Sequence, residues 1–486
     1  MSHTSTDGTN DGPADGAAAD TPGSSYFDNR SFRRALVITI AVLAVLVAAF
    51  AGLNYLQGPK LSSARIDASR VVTQSGQQLR LFANQNVAVV KQGQVSVTPA
   101  AKFTVSTSGE VIAVQFTDKL HYGTRYSVRV NGVENAYQPQ RQTFRFAFTT
   151  AAASVYYLDR ANTAAGEQTD SIVRTGLRGS DRTVVYSAPH IQQFVVFPRA
   201  IAVTTLNDDH TSSLSLVSLD KGLTEQLLLP GQGIVERLQA APDAGIIGFI
   251  FTSNGPVPER KYSSTLMTVD LTGAHTIAPL LDLASKPLGV LNWLFLSGSR
   301  SIVAQTFDQT VLLIDAKKPA SSVPLGQYAD LGRSSPDGKT LVVGDVFGKI
   351  AYSLSSGKQT RLPALPIDGE MSYGGDLMLV GPGTARVQQI AVFDPARGGR
   401  YQGYLVYENG TETRILYQSK DDAGSIEGFS VSPNGQYVAV NVVPNFATSF
   451  SDGYFADSAS TSITTLFIDI AAGNLVRSVE GFDESW

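Results

Sequence analysis

The stretch SSPDGKTLVVGD (residues 334–345) has two echoes, VSPNGQYVAV at 431–440 and the fainter AAPDAGIIGFI at 240–250. Aligned on the small residue before the proline, the copies begin at Ala241, Ser335 and Ser432, 94 and 97 residues apart. Each has the same physical grammar. Proline fixes φ at the second position of a tight turn, Asp or Asn tolerates the next, and Gly supplies the positive φ that ends it. An alternating apolar strand follows, so the phrase is a hairpin signal, and its recurrence at a fixed interval indicates a repeat architecture.

The repeating unit reads strand, S-P-D-G turn, apolar strand, loop, third strand, Gly turn, final strand. Third strands recur as DSIVRTGL ending at Leu177, LSLVSLD at Asp220, TLMTVD at Asp270, TVLLID at Asp315, KIAYSLS at Ser355, GYLVYE at Glu408 and TLFIDI near Asp469. That makes seven units, A to G, 40 to 61 residues apart. The three clear turns belong to alternate units. Between them lie units whose turns have drifted, to LSGSRSIVAQTF (296–307) and VGPGTARVQQIAVF (380–393). Four-stranded units of this length, repeated seven times, predict a seven-bladed β-propeller over 151–486, because radial closure protects the sheet edges. The Asp residues that close third strands (Asp220, Asp270, Asp315, Asp469) are expected to make side-chain turns to backbone N–H groups.

Upstream, 61–150 reads as strand throughout: QQLRLFA, QVSVTP, KFTVST, EVIAVQF, RYSVRV and TFRFAFTT, period-2 alternations separated by Gly turns. Six or seven strands in about 90 residues predict a β-sandwich. The first 25 residues hold Gly, Ala, Asp, Ser and Thr with no large apolar side chain, and are read as part of a disordered tail, 1–34. Residues 35–53, ALVITIAVLAVLVAAFAGL, carry no charge. As a helix they rise ~28 Å, close to the hydrocarbon thickness of a bilayer. A transmembrane helix is therefore predicted over 35–57. Arg30, Arg33 and Arg34 precede it and no charge follows until Lys60, which predicts a cytoplasmic N-terminus and extracytoplasmic C-terminal domains. The long segment ahead of the helix fits an uncleaved signal anchor.

Two resemblances follow from these residues. In 61–150, Leu120, Gly123, Thr124, Tyr126, Val128 and Val130, then Phe146, Phe148, Thr149 and Thr150, resemble the bacterial Ig-like domain of S-layer and other envelope proteins. SRVVTQSGQQ stands where that family has an early Ser-Pro-x-x-Gly turn. The family supplies spacer or adhesion modules, so the resemblance implies nothing catalytic. SPDGKTL…KIAYSLSSGKQTRL and QIAVFDPARGGRYQGYLVYENGTETRIL resemble TolB-like and WD-repeat-like propeller blades, although the chain has no Trp-Asp dipeptide. The fold class expected is all-β: an Ig-like sandwich and a seven-bladed propeller behind one transmembrane helix.

Composition removes several functions. A net charge of −4 gives no basic footprint for nucleic acid. Without cysteine there is no disulfide, thiolate metal site or cysteine nucleophile. The propeller-enzyme motifs are missing too. There is no Ser-x-Asp-x-Gly-x-x-Trp box, no room for an α/β-hydrolase domain, and only Trp293 and Trp486 to serve as quinone-docking tryptophans. No catalytic residue, metal site or cofactor is assigned.

Binding residues are sought in the loops between second and third strands. These are minimal in units D (FDQT) and E (DVFGK), and long in A (160–169), B (207–213), C (253–264), F (394–402) and G (444–462). Long loops in compact domains are often functional, and these five come from adjacent units and leave at one end. They predict a ligand-binding rim of Asp208, Asp209, His210, Arg260, Lys261, Tyr262, Arg397, Arg400, Phe446, Phe450, Tyr454 and Phe455. The simpler accounts are a solvated turn for Asp208–His210, and aromatics that pin their own loop for 446–455. The loop 446–460 is expected to be dispensable for folding, and the short loop of unit E to lie off the site. The reading is a single-pass, membrane-anchored, extracytoplasmic protein, monomeric, that recognises an envelope protein, peptide or glycan. The alternative is a propeller hydrolase or lyase acting on envelope glycans or peptides. Carboxylates with a His or Arg at the channel mouth would favour the enzyme, and an aromatic rim would favour binding.

Overall fold

The computed structural model describes residues 29–56, 58–137, 139–160, 169–179, 181–254, 262–367, 372–381, 383–394, 399–420 and 423–486. The charge-free run of 35–53 lies inside a single helix, Asn29–Leu56. Its stretch Arg30–Phe50 is long and apolar enough to cross a membrane, and none of it is buried against the rest of the chain.

The alternating strands of 61–150 form two antiparallel sheets. One pairs Leu61–Arg65, Gln78–Ala83, Val111–Phe116 and Phe103–Ser108, and the other pairs Val95–Thr98, Arg125–Glu134 and Arg141–Thr149. Every second residue turns inward, so Leu79, Leu81, Ile112 and Val114 meet Tyr126, Val128, Val130 and Phe144 in one buried core. Gly123 takes φ +56° at the turn into the long strand. There Thr150 Oγ1 accepts from the Thr124 N–H at 2.9 Å and donates to the His121 carbonyl at 2.6 Å.

From Ser154 onward the described residues form seven four-stranded antiparallel sheets, A to G, arranged as a β-propeller. The inner strands of B to G are Ile191–Val196, Gly233–Ala241, Asn292–Phe295, Asp330–Ser334, Ser372–Leu379 and Ser425–Val431. Sheet A takes its inner strand from the end of the chain: Phe482–Ser485 pairs with Ser154–Asp159. Apolar cores lie between neighbouring sheets, as where Trp293 of sheet D packs on Ile246 and Leu266 of sheet C. At that contact a β-carbon on Gly248 would stand 2.4 Å from the indole. The core between sheets G and A closes the ring and is continuous with the sandwich core, so a single apolar cluster runs from Leu79 to Phe467.

The recurring turns fold alike. Ser335 Oγ donates to Asp337 Oδ1 at 2.6 Å and accepts from the Thr340 N–H at 3.0 Å. Ser432 repeats the pattern with Asn434 at 3.0 Å and Tyr437 at 2.9 Å. These turns also seat the sandwich. Lys119 Nζ donates to the carbonyls of Pro433 at 2.9 Å and Pro336 at 3.5 Å. Asn434 Nδ2 donates to the Leu120 carbonyl at 2.9 Å, Gln436 Oε1 accepts from the Tyr122 N–H at 2.8 Å, and Gln74 Nε2 reaches Asp243 Oδ1 at 2.6 Å. Burial lowers the Lys119 pKa, opposed by the Asp337 and Asp243 carboxylates. The sandwich thus docks on the turns of sheets C, E and G, and the loops between second and third strands leave from the opposite end of the sheets. Of the Asp residues closing third strands, Asp270, Asp315 and Asp469 accept from backbone N–H groups at 2.8, 2.9 and 2.9 Å, whereas Asp220 pairs with Arg199 at 2.7 Å.

Candidate functional site

Inner strands of a radial fold expose one edge to the central bore. Here six of the seven carry a register shift, a β-bulge in which residues are left out of the ladder. The residues left over include Arg237, Arg333, Asp376, Glu427, Asp483 and Glu484. Of these only Glu484 is partly covered; the other five charged side chains are exposed. Electrostatic influence crosses the ring: Arg333 of sheet E acts on Glu484 of sheet A, and Glu236 and Arg237 of sheet C act on Asp457 of the sheet G loop. The bore is therefore lined by charge, with carboxylates in excess.

Asp457 and Asp483 are accessible to water along the bore, yet protein atoms crowd around both. For the cost of ionisation the crowding counts more than the open edge, because it displaces most of the hydrating water. This desolvation, reinforced by Glu484 and then Asp457, pushes the Asp483 carboxyl up to about 7. Desolvation raises Asp457 and Glu484 as well, opposed at Asp457 by Arg160 and Gln193, and at Glu484 by the Ser430 hydroxyl.

The loop 444–462 lies over this mouth, fastened by residues far away in sequence. Arg160, its side chain 6% exposed, pairs with Asp452 at 2.5 Å and donates to the Asp457 carbonyl at 2.8 Å. It further donates to the carbonyls of Ile191 at 3.1 Å and Gln192 at 3.3 Å. Its guanidinium lies 4.4 Å from the Tyr454 ring centroid and 5.0 Å from that of Phe482. The Tyr454 hydroxyl donates to buried Asp170 at 2.8 Å, and burial pushes its pKa up. Asp457 Oδ2 accepts from Gln193 Nε2 at 2.6 Å, while Gln193 Oε1 accepts from the Leu238 N–H at 2.7 Å. The loop joins sheets G, A and B, and Gln193 carries the link on to sheet C.

The predicted rim residues separate on this evidence. Tyr454 is a fastener. Tyr262 is a correction: it is buried against Phe251, with ring centroids 6.2 Å apart, and belongs to the core between sheets B and C. Asp208, Asp209 and His210 are exposed. Asp209 turns back to the Thr211 hydroxyl and N–H at 2.6 and 3.0 Å, and these bonds lower its pKa. His210 stacks on exposed Phe455 at 4.5 Å, joining loops B and G, and Phe450 is exposed nearby in sequence. Phe446 opens the short turn Phe446–Thr448 and Arg400 opens the strand Arg400–Glu408. Arg260, Lys261 and Arg397 lie outside the described residues. Among the described residues no group of three or more His, Asp or Glu is placed to hold a metal ion.

Sequence reasoning missed the bore. The signal was present as a charged residue interrupting five of the seven inner strands, in VERLQ, LGRSS, GGDLML, IEGFSV and FDESW. An alternation reading takes such residues for the solvent face of an ordinary strand. It also missed exposed Phe307, Val346 and Phe347, on the short loops of sheets D and E.

No family model matches the chain, and no curated protein does either. Similar solved structures include TolB from Acinetobacter baumannii, 15% identical with TM-score 0.35, covering 81% of this chain and 82% of that one. The β-propeller domain of the Trilobed protease from Pyrococcus furiosus is 12% identical with TM-score 0.41, covering 70% of this chain and 95% of that one. A putative TolB from Agrobacterium tumefaciens is 14% identical with TM-score 0.32, covering 68% and 91%.

Proposed function

We propose that this is a single-pass, membrane-anchored binding or scaffold protein of the cell envelope. In this reading the helix Asn29–Leu56 is a retained anchor, the two-sheet unit an Ig-like spacer, and sheets A to G a seven-bladed propeller outside the membrane. The partner is an envelope protein, peptide or glycan. One observation carries the reading: the sandwich occupies the turn face, so among the described residues the loop face, with its charged bore and exposed aromatics, is the face left open. A reporter fused after Trp486 is expected to be active only outside the cytoplasmic membrane. Full-length protein is expected to capture an envelope component, and Phe450→Ser with Phe455→Ser to weaken that capture. Activity of the reporter in the cytoplasm, or capture indifferent to every loop-face change, overturns the reading.

A second reading has its own support. Asp483 titrating near neutrality beside Glu484 and Asp457, with Arg160 at hand, is the setting of a general acid. A hydrolase or lyase predicts turnover of envelope glycan or peptide fragments that Asp483→Asn abolishes.

A further inference from the structure

The loop face and the turn face differ in what they show to solvent. Among the described residues, the exposed large apolar residues at the turns of the turn side are Leu223 and Leu475, one in a turn between third and fourth strands and one just after such a turn; Val184, Val323 and Ile415 lie along outer strands. On the loop side Phe307, Val346, Phe347, Tyr401, Phe450 and Phe455 are all exposed, spread over sheets D to G. Val346 and Phe347, at 86% and 83%, sit on a two-residue connection between strands Thr340–Asp345 and Gly348–Ser353. Apolar side chains raised on so short a loop are held in water by a rigid support, and the Arg361 guanidinium, 5.9 Å from the ring centroid, braces Phe347 without covering it. Inside this apolar rim lies the bore, where among the described residues Glu236, Asp376, Glu427, Asp457, Asp483 and Glu484 stand with Arg237 and Arg333, a formal excess of four acids. Arg160 acts on Asp457 and Asp483 too, but its charge is matched by its pairing with Asp452, so the formal excess stands.

We infer that the loop face is a docking surface for a protein segment that inserts a lysine or arginine side chain into the bore and lays apolar side chains on the rim. The inference rests on the binding reading above and names its partner class. Charge complementarity selects a cation, since crowded carboxylates in excess over the bases beside them are relieved by one. The carboxylates are not grouped to hold a metal ion among the described residues, which favours an organic cation on a long stem. The width of the apolar rim requires an occupant much larger than a free amine, and exposed aromatic side chains are the type enriched where proteins bind one another, as arginine is on the partner's side.

The probe is a displayed library of random dodecapeptides, selected on the full chain held in lipid nanodiscs. Enriched peptides are expected to share a Lys or Arg flanked by Leu, Phe or Trp. Changing that base to Gln is expected to weaken binding about tenfold or more, as is Asp483→Asn with Glu427→Gln. Phe347→Ser should weaken it too, and Phe347→Leu should retain most of it, with unchanged circular dichroism melts as the control for folding. Enriched peptides that lack a base but are blocked by Phe450→Ser and Phe455→Ser overturn this inference and leave loop-face binding standing. Basic peptides indifferent to the Asp483 and Phe347 changes, or no enrichment at all, overturn it as well.

Discussion

A β-carbon on Gly338 would stand 2.6 Å from the Ser297 carbonyl oxygen, and one on Gly435 the same 2.6 Å from that of Val380. Both glycines also hold φ near +70°, at +67° and +70°. Each clear S-P-[DN]-G turn therefore abuts the drifted turn of the preceding sheet, and strain and contact together forbid a side chain. Gly338→Ala and Gly435→Ala are each expected to cost about 1–3 kcal/mol in urea unfolding. That much was legible, because a turn announces its φ requirements in residue types. Asp483 was not: its environment comes from residues of sheets A and G and from Arg160, far apart in the chain. Its carboxyl titrates near 7 in the fold against about 4 when unfolded. Between those values the folded state binds more protons, so this group's contribution to stability falls as pH rises from about 4 to about 7 and is flat above. Asp483→Asn is expected to flatten that part of the melting temperature against pH. An unchanged slope would place the carboxyl in ordinary solvent.

At the scale of elements, the loop 444–462 was legible as long, aromatic and set at the ligand end, but not as a structural part. Its anchor Arg160 lies 292 residues from Asp452, and no local pattern links them. Deleting 446–460 takes Asp452 from Arg160 and the Tyr454 hydroxyl from Asp170, so the deletion is expected to lower stability rather than leave it unchanged. Asp452→Ala is expected to destabilise by about 3 kcal/mol, because it leaves a buried guanidinium without its counter-charge. Tyr454→Phe, which removes only the hydroxyl facing Asp170, should cost about 1 kcal/mol. Denaturant melts distinguish the two. Equal, negligible effects would make the loop a passenger. The strands themselves were readable from period-2 alternation and turn residues. Their bulges were not, since a bulge is a property of a pair of strands and its sequence trace is no more than a polar or charged residue or two out of place.

At the scale of the whole molecule, the sandwich and the ring share their apolar cluster through Tyr122, which stacks on Tyr437 at 6.3 Å, itself stacked on Trp486 at 6.5 Å. Separate cores would give two independent melting transitions. The shared one predicts coupled unfolding by calorimetry in the full chain, and a lower midpoint for residues 151–486 expressed alone. Two unshifted transitions would refute the coupling. The order in which the parts are made adds a constraint of time. Strand Ser154–Asp159 is synthesised about 320 residues before Phe482–Ser485, the strand that completes its sheet. At ~5–20 residues per second the interval is about 16–65 s. Throughout it the first sheet carries a bare edge, and the bore lacks both Asp483 and Glu484. Shape and charge arrive together in the same four residues, so a chain arrested before them is an open arc with an incomplete acidic lining. Such a product is an aggregation hazard but a poor decoy for whatever the finished ring binds.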